Sequence, residues 1–344
     1  MITRTLALFP GQGSQHVGMA KELLNDFPLA RETFEEASDA IRVDLKKLCL
    51  DGPESDLTLT ENTQPCLLTA SVAAFRVAQK ETGFKPDAVA GHSLGEYSAL
   101  VVAQSVSLGV AAAWVKERGR AMQSAVPAGQ GTMAAVMGLT DEQVTEICKQ
   151  ATALAAQKRA TRSADSPLDD LTVDAVVETA NFNAPGQVVI AGSIDAVAEA
   201  VALVKGGTVF SGGKAIALSV SAPFHCRLMK PARIRMSEVF GNTSTKPQAL
   251  LYPYIPNTSA RITQEAGVVL DLLIEQIDHP VFWKQSMLHA LERGTERVVE
   301  FGPGKVLIGL MKRIAQSVDK PYQSLNVSDS SGIHALEIFT QGQV

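Results

Sequence analysis

The apolar positions along the chain follow two different periods, which predict alternating strands and helices. Short, mainly apolar runs, at 6–9, 88–90 and 298–301, are typical of buried strands. Each run is followed by a glycine-containing turn and by a segment whose apolar residues have helical spacing. This alternation is typical of an α/β domain with a largely parallel sheet.

A different order of elements is predicted in the middle of the chain. The periodicities predict strands at 132–137, 174–180, 187–191 and 214–220, and helices at 141–150 and 195–204. This order, β-α-β-β-α-β, is that of a ferredoxin-like unit. We therefore predict a large domain formed by 1–128 and 221–344, and a small ferredoxin-like domain inserted at 129–220. A substrate cleft is expected between the two domains.

Composition limits the class of protein. A chain of 344 residues with 46% hydrophobic and 19% charged residues predicts a globular protein with a large core. The net charge of -5 gives no basic excess for a nucleic acid or a membrane surface. The four cysteines are scattered, which argues against a zinc site or a disulfide framework and favours a reduced cytoplasmic setting. Neither a signal peptide nor an apolar run near the ~18 residues of a membrane span is expected.

Ser93 stands in the most informative motif, Gly91-His-Ser-Leu-Gly95, between the predicted strand at 88–90 and a following helix. Gly-x-Ser-x-Gly in this context is typical of a nucleophile elbow. The glycines permit a tight turn that exposes the serine hydroxyl. The Leu94 N–H lies at the positive end of the helix, where it can stabilise an oxyanion. The motif therefore favours acyl transfer through a serine ester.

Two further residues are candidates to complete such a site. The glycine-rich turn after the first strand can bring the Gln12 N–H close to Ser93, and it lacks the third glycine of a dinucleotide loop. Among the histidines, His225 is the best candidate for a base, because it follows a predicted strand and a turn through Pro223 can aim its ring into the cleft. A structural role for His225 stays open. His92 is a poor base, because neighbouring side chains in an elbow point apart.

Arg118 lies on the apolar face of a predicted helix. Steps of about 100° per residue place it on the same stripe as Trp114 and Met122. A buried guanidinium requires an anionic partner. Two interpretations are open: an internal ion pair, for example with Glu96, or a bidentate clamp for a substrate carboxylate, which the planar guanidinium suits better than lysine does.

A series of motifs occurs in a fixed order along the chain. They are Phe9-Pro-Gly-Gln-Gly-Ser-Gln15, Thr63-Gln-Pro65, Gly91-His-Ser-Leu-Gly-Glu-Tyr-Ser-Ala-Leu100, Glu117-Arg-Gly119, Asn181-Phe-Asn-Ala-Pro-Gly-Gln-Val-Val-Ile-Ala-Gly192, Pro223-Phe-His225 and Gly302-Pro-Gly-Lys-Val-Leu307. Together they closely resemble the malonyl-CoA:acyl-carrier-protein transacylases of fatty-acid synthesis. The resemblance runs from about residue 5 to residue 326. An ordered series of this kind is more specific than any single motif.

The resemblance implies a fold and the principal site residues. The fold would be an α/β-hydrolase-like large domain, with a mainly parallel sheet, that bears the ferredoxin-like small domain. Ser93 would be the nucleophile and His225 the base. Arg118 would hold the malonyl carboxylate, and the N–H groups of Gln12 and Leu94 would form the oxyanion hole.

The resemblance also implies roles for two glutamines and a phenylalanine. The backbone carbonyl of Gln276 would orient the histidine, so that a dipole replaces the usual triad acid, and Gln64 would line the substrate pocket. Phe224 matches the form associated with malonyl rather than methylmalonyl units. A bulky ring leaves little space for a methyl group at the α carbon, which is a preference of about 1–3 kcal/mol.

The implied activity is transfer of the malonyl group from malonyl-CoA to acyl carrier protein. We expect a cytoplasmic monomer with no cofactor and no metal, and with neither nucleic acid nor a membrane as partner. A carrier protein is usually acidic, and Lys305, Lys312 and Arg313 are candidates for a docking patch or equally for a solvated helix face. The alternatives are a serine thioesterase or hydrolase, an inactive acyltransferase-like subunit, and an acyltransferase subunit of a polyketide synthase.

Two regions depart from the family pattern. The polar stretch at 157–170 is predicted to be a solvated loop, longer than the usual loop of the family. The tail beyond residue 326 is less informative, although 333–339 could form a short terminal helix.

Overall fold

The computed structural model describes residues 4–161, 171–207 and 209–341. Within these ranges the strands are β1 (Thr5–Phe9), β2 (Ala88–Gly91), β3 (Gly131–Met137), β4 (Val177–Ala184), β5 (Gln187–Ser193), β6 (Lys214–Ala217), β7 (Tyr254–Ile255), β8 (Arg297–Phe301) and β9 (Gln323–Val327). The α-helices are α1 (Lys21–Asp26), α2 (Pro28–Ile41), α3 (Leu45–Asp51), α4 (Glu54–Leu57), α5 (Thr60–Thr82), α6 (Gly95–Val102), α7 (Leu108–Ser124), α8 (Asp141–Ala160), α9 (Ile194–Gly206), α10 (Lys230–Asn242), α11 (Val269–Glu275), α12 (Trp283–Glu292), α13 (Val306–Ser317) and α14 (Ser330–Gln341).

The central sheet has the order β7-β2-β1-β8-β9, and every pairing in it is parallel. Its inner strands are mostly apolar and almost entirely buried, as expected for a parallel sheet covered on both faces. The prediction of a mainly parallel sheet is confirmed. The register pairs Phe9 with Gly91, so the carboxyl ends of β1 and β2 lie side by side. The loops that follow these two strands carry the candidate site residues Gln12 and Ser93.

The second sheet is antiparallel, with the order β4-β5-β3-β6. Together with α8 and α9 it gives the chain order β-α-β-β-α-β, which confirms the ferredoxin-like prediction. Its core joins both helices to the sheet through apolar side chains that include Ile147, Val188, Ile190 and Val197.

In the middle of the chain, three predicted elements differ from the structure in their bounds by three residues or more. The strand expected at 174–180 is β4, which begins at Val177 and continues into the hairpin before Gln187. The strand expected at 214–220 ends earlier, at Ala217. The helix expected at 141–150 continues as α8 to Ala160, because alanine and long polar side chains favour the helix. The loop prediction is therefore wrong at 157–160, and residues 162–170 lie outside the described ranges.

The described residues fall into two compact units. The first contains the described residues of 1–120, 239–272 and 285–344, and the second contains those of 121–238 and 273–284. The small domain proposed from the sequence, 129–220, falls within the second unit. A helix long and apolar enough to cross a membrane is absent from the part of the chain that the structure describes.

Glu300 is a buried carboxyl group in the central sheet. It lies in β8, is 0% exposed, and accepts hydrogen bonds from the N–H groups of Leu307 and Ile308 at the start of α13. Burial raises its pKa from the ordinary 4.5 to about 7. The two hydrogen bonds lower the pKa, but their effect is smaller than that of burial. The carboxyl is therefore protonated in the folded chain at a pH where it is ionised in the unfolded chain.

The raised pKa of Glu300 predicts a pH dependence of stability. Between about pH 4.5 and pH 7 the folded state binds the extra proton, so the free energy of unfolding falls as the pH rises. Over the whole of this range, ionisation of Glu300 lowers the free energy of unfolding by about 3 kcal/mol. Glu300→Gln removes this slope, which urea unfolding of both proteins at about pH 5 and pH 8 would measure. An equal loss of stability across this range in the variant and the unaltered chain would contradict the assignment.

Candidate active site

Ser93 sits on the turn between β2 and α6, with a φ of 50°. A non-glycine residue rarely adopts this left-handed conformation, and such strain is common at functional sites. The turn is tight because glycines flank it. A Cβ atom at Gly91 would overlap the Gly95 carbonyl, and one at Gly95 would overlap the Phe9 carbonyl. The local sequence therefore builds the elbow geometry expected from the motif.

The candidate oxyanion donors belong to the two loops that meet at this edge of the sheet. A Cβ atom at Gly11 would lie 2.6 Å from the His92 carbonyl oxygen, so the turn that carries Gln12 packs directly on the elbow. Leu94 precedes the first residue of α6, at the positive end of the helix. In the described part of the chain, neither the Gln12 N–H nor the Leu94 N–H donates a hydrogen bond. Both donors are available to an oxyanion.

Arg118 extends from α7 to the elbow and is 1% exposed. Its Nη2 donates to the Ser93 hydroxyl at 3.1 Å, and its Nη1 donates to the Gln64 side-chain oxygen at 2.8 Å. The guanidinium carbon lies 5.5 Å from the centre of the Tyr97 ring, within the range of a cation–π contact. The structure thus brings Arg118, Gln64 and Ser93 together.

The electrostatics of Arg118 are those of a buried cation. Burial lowers the pKa of the guanidinium, and the Tyr97 hydroxyl and the Glu96 carboxylate act in the opposite direction. The two hydrogen bonds described above join Arg118 to the uncharged side chains of Gln64 and Ser93. Glu96 instead acts on Arg118 through the charge of its carboxylate. Burial also raises the pKa of Tyr97 to about 12, which keeps its hydroxyl neutral. A planar cation in this setting is suited to a carboxylate that arrives on a ligand.

His225 is buried, at 3% exposed, and has a φ of 59°. Its Nδ1 lies 2.8 Å from the backbone carbonyl oxygen of Gln276. A carbonyl can only accept, so Nδ1 carries the proton and Nε2 keeps the lone pair that a base requires. Burial raises the pKa of the neighbouring Cys226 thiol to about 12, so this cysteine is not a thiolate nucleophile. Phe224, on the other side of His225, is 8% exposed.

The site residues are divided between the two compact units. Ser93, Arg118, Gln64 and Gln12 belong to the first unit, whereas His225, Phe224 and Gln276 belong to the second. Groups of three or more histidine, cysteine, aspartate or glutamate side chains placed to hold a metal ion are absent from the described residues.

Asn257 is a contact of the elbow that the sequence pattern did not indicate. It follows β7, is 0% exposed, and accepts a hydrogen bond of 2.7 Å from the Ser93 N–H. β7 pairs with β2, so a polar residue directly after β7 lies beside the residues that follow β2. The available indication was the short apolar run at 252–255, which ends at Pro256. It is too short for a periodicity argument.

The fold and the site define a class. A serine at positive φ on a strand-to-helix turn of a parallel sheet is typical of α/β proteins with a nucleophile elbow. In this chain a buried guanidinium lies beside that serine. A family model described as "Acyl transferase domain" matches residues 7–329.

Similarity to known proteins identifies a narrower family within the acyl transferases. The "Malonyl CoA-acyl carrier protein transacylase" of Salmonella typhimurium is 41% identical over 318 residues, which cover 92% of this chain and 94% of the relative. The crystal structure of "FabD from Acinetobacter baumannii" superposes with a TM-score of 0.87 at 40% identity, covering 100% of both chains. A malonyl-transacylase solved in complex with a type II PKS acyl-carrier protein gives a TM-score of 0.86 at 37% identity, covering 98% of this chain and 100% of the other. The chain belongs to the malonyl CoA-acyl carrier protein transacylase family of acyltransferases.

Proposed function

We propose that the chain transfers the malonyl group of malonyl-CoA to the phosphopantetheine thiol of acyl carrier protein, through a malonyl ester of Ser93. The observation that carries this proposal is the position of Arg118, a buried cation whose Nη2 donates to the Ser93 hydroxyl. An acyl group held on Ser93 would place a free carboxylate within reach of the guanidinium. The names of the relatives support the same acyl donor and acceptor.

The first half of the reaction loads the serine. His225 Nε2 removes the Ser93 proton, and the hydroxyl oxygen attacks the thioester carbonyl of malonyl-CoA. The N–H groups of Gln12 and Leu94 stabilise the oxyanion of the tetrahedral intermediate, and the loss of one such donor typically costs about 2.7–4 kcal/mol. The C–S bond then breaks, His225 returns the proton to the leaving sulfur, and CoA departs as a thiol.

The second half repeats these steps with the carrier protein. Its phosphopantetheine thiol gives its proton to His225 and attacks the ester carbonyl. The bond between the acyl carbon and Ser93 Oγ then breaks, and the serine oxygen recovers the proton. Two half-reactions that share one covalent intermediate give ping-pong kinetics. Arg118 and Gln64 hold the malonyl group in both halves, and the Gln276 carbonyl keeps the His225 ring oriented.

The setting of this reaction follows from the same chemistry. The organic groups that react are the substrates themselves, so we propose that the enzyme needs no cofactor and no metal. A cytoplasmic location suits malonyl-CoA as a substrate. It also agrees with the four cysteines, which are free and buried. The exposed side chains of Lys305 and Lys312 are proposed contacts for an acidic carrier protein. We also propose the domain division predicted from the sequence, with a large domain at 1–128 and 221–344, which carries Phe224 and His225, and a small domain at 129–220.

A second candidate function is malonyl transfer to the carrier protein of a polyketide synthase. The relative solved with a type II PKS acyl-carrier protein favours this alternative acceptor. Initial rates with malonyl-CoA and a panel of carrier proteins, from fatty-acid and polyketide systems, would separate the two pathways. A preference of tenfold or more in kcat/KM corresponds to about 1.4 kcal/mol of discrimination.

Removal of the carrier protein tests transfer against hydrolysis. Without it, one equivalent of CoA per chain is expected in a burst, followed by slow release, because water is a poor acceptor at the clamped ester. Addition of carrier protein is expected to restore rapid turnover. CoA and malonyl-CoA are separated and quantified by chromatography in quenched samples under both conditions. Release at the same steady rate with and without carrier protein would instead identify a thioesterase.

A further inference from the structure

Asn257 contacts the elbow at three points. Its Nδ2 donates to the Gly91 carbonyl at 2.7 Å, and its Oδ1 accepts from the Ser93 N–H at 2.7 Å. Its own backbone N–H donates to the Glu96 carboxylate at 3.1 Å. One fully buried residue thus bonds to the last residue of β2, to the serine itself and to the first turn of α6.

These contacts act on a strained part of the backbone. Ser93 has a φ of 50°, a conformation that an isolated serine disfavours and that surrounding structure must therefore maintain. The Ser93 N–H is occupied by Asn257, so it is not available to an oxyanion. The next N–H along the chain, that of Leu94, is left to face the reacting carbonyl.

We propose that Asn257 is a positioning residue for acyl transfer, which holds the Ser93 backbone and thereby aims both the serine hydroxyl and the Leu94 N–H. Asn257 acts through Ser93 and does not itself contact the acyl group. This inference rests on the proposed function, because it requires Ser93 to be the nucleophile.

The site requires an amide at position 257. One side-chain atom faces an N–H and must accept, and the other faces a carbonyl and must donate. An ionised carboxyl would accept at both places and would leave the Gly91 carbonyl without a donor. A protonated carboxyl has the same shape as the amide and restores the donor. The Glu96 carboxylate would favour the protonated form at this position, and the positive charge of Arg118 would oppose it.

The experiment follows formation of the malonyl adduct by rapid quench and intact-protein mass, with malonyl-CoA as the probe. Asn257→Ala is expected to acylate about 100-fold more slowly than the unaltered chain, since a displacement of about 1 Å at the reacting atoms has this effect. The final amplitude should still reach one adduct per chain, and the dependence on malonyl-CoA concentration should be unchanged. This combination distinguishes positioning from a loss of folded protein, which lowers the amplitude and leaves the rate constant unaltered.

Thr295→Val is the matched control. Thr295 is 4% exposed and donates a hydrogen bond of 2.8 Å to the Ala290 carbonyl, in the same compact unit as Asn257. Its replacement removes a buried hydrogen bond away from the elbow, so the acylation rate should match that of the unaltered chain.

Asn257→Asp supplies a second, independent measurement. Its acylation rate, divided by that of the unaltered chain at the same pH, should rise as the pH falls from about 8 to about 6, because protonation restores the donor to Gly91. A flat ratio, or an Asn257→Ala variant that acylates at the unaltered rate, overturns the inference. If Asn257→Ala does not fold, the pH series of Asn257→Asp decides. Failure of the unaltered chain to form an adduct, or an adduct in Ser93→Ala, instead overturns the proposed function and this inference with it.

Discussion

Replacement of Ser93 by alanine is expected to lower malonyl transfer by about a million-fold, the usual consequence of removing an enzyme nucleophile. The loss is large because both half-reactions pass through the Ser93 oxygen. The residual rate would come from binding and from the oxyanion donors. The measurement is transfer of labelled malonyl groups to carrier protein, followed to long times at high enzyme concentration.

Ser98→Ala is the control for this variant. Ser98 lies on α6, one turn after the elbow, and is 1% exposed. Its replacement changes the same residue type in the helix that follows the elbow and should leave the transfer rate within a fewfold of the unaltered chain. Full transfer activity in Ser93→Ala would mean that another group carries the malonyl unit.

Replacement of Arg118 by alanine is expected to slow malonyl transfer far more than acetyl transfer. Loss of one partner of a buried charge pair costs about 2–5 kcal/mol, so kcat/KM for malonyl-CoA should fall by a factor on the order of 30 to several thousand. Acetyl-CoA has no free carboxylate, so its slow transfer should change far less. The comparison requires both substrates on the same preparation. Arg118→Lys keeps the charge but loses the planar fork, and an intermediate loss is expected.

Arg120→Ala is the matched control for the clamp. Arg120 lies two residues further along α7, is exposed, and forms an ion pair of 2.5 Å with Glu61. A surface pair of this kind contributes little to stability, and its loss should not change the ratio of malonyl to acetyl transfer. If Arg118→Ala loses acetyl transfer as severely as malonyl transfer, Arg118 supports the site generally and is not a carboxylate clamp.

The parts of the fold that could be predicted are those with strong local patterns. The short apolar runs predicted β1, β2 and β8, and the alternation in the middle of the chain predicted the ferredoxin-like order. Two strands at the edges of the central sheet could not be predicted. β7 has only the two residues Tyr254–Ile255, and β9 contains polar residues at Gln323, Ser324 and Asn326. Both strands form because neighbouring strands offer hydrogen-bond partners for their backbones. The local sequence of β7 or β9 gives no indication of these partners.

The candidate site divides in the same way. Ser93 and Arg118 could be identified from the residues themselves, because an elbow motif and a cation on an apolar helix face are local features. The contribution of Gln276 is a backbone carbonyl, which has no signature in residue type and was implied only by the resemblance. Asn257 lies 164 residues from Ser93 and reaches it through the pairing of β7 with β2. A contact of this kind is fixed by tertiary structure and is not visible in a single sequence.

Passage of the malonyl group through an ester of Ser93 can be observed by intact-protein mass spectrometry. The chain is mixed with malonyl-CoA, its mass is recorded, and carrier protein is then added. The mass is expected to rise by one malonyl group, which digestion locates on the peptide that contains Ser93, and the added mass is expected to disappear when carrier protein is added. Malonyl transfer with no adduct on this peptide, or an adduct that carrier protein does not discharge, would show that Ser93 does not carry the malonyl group during transfer.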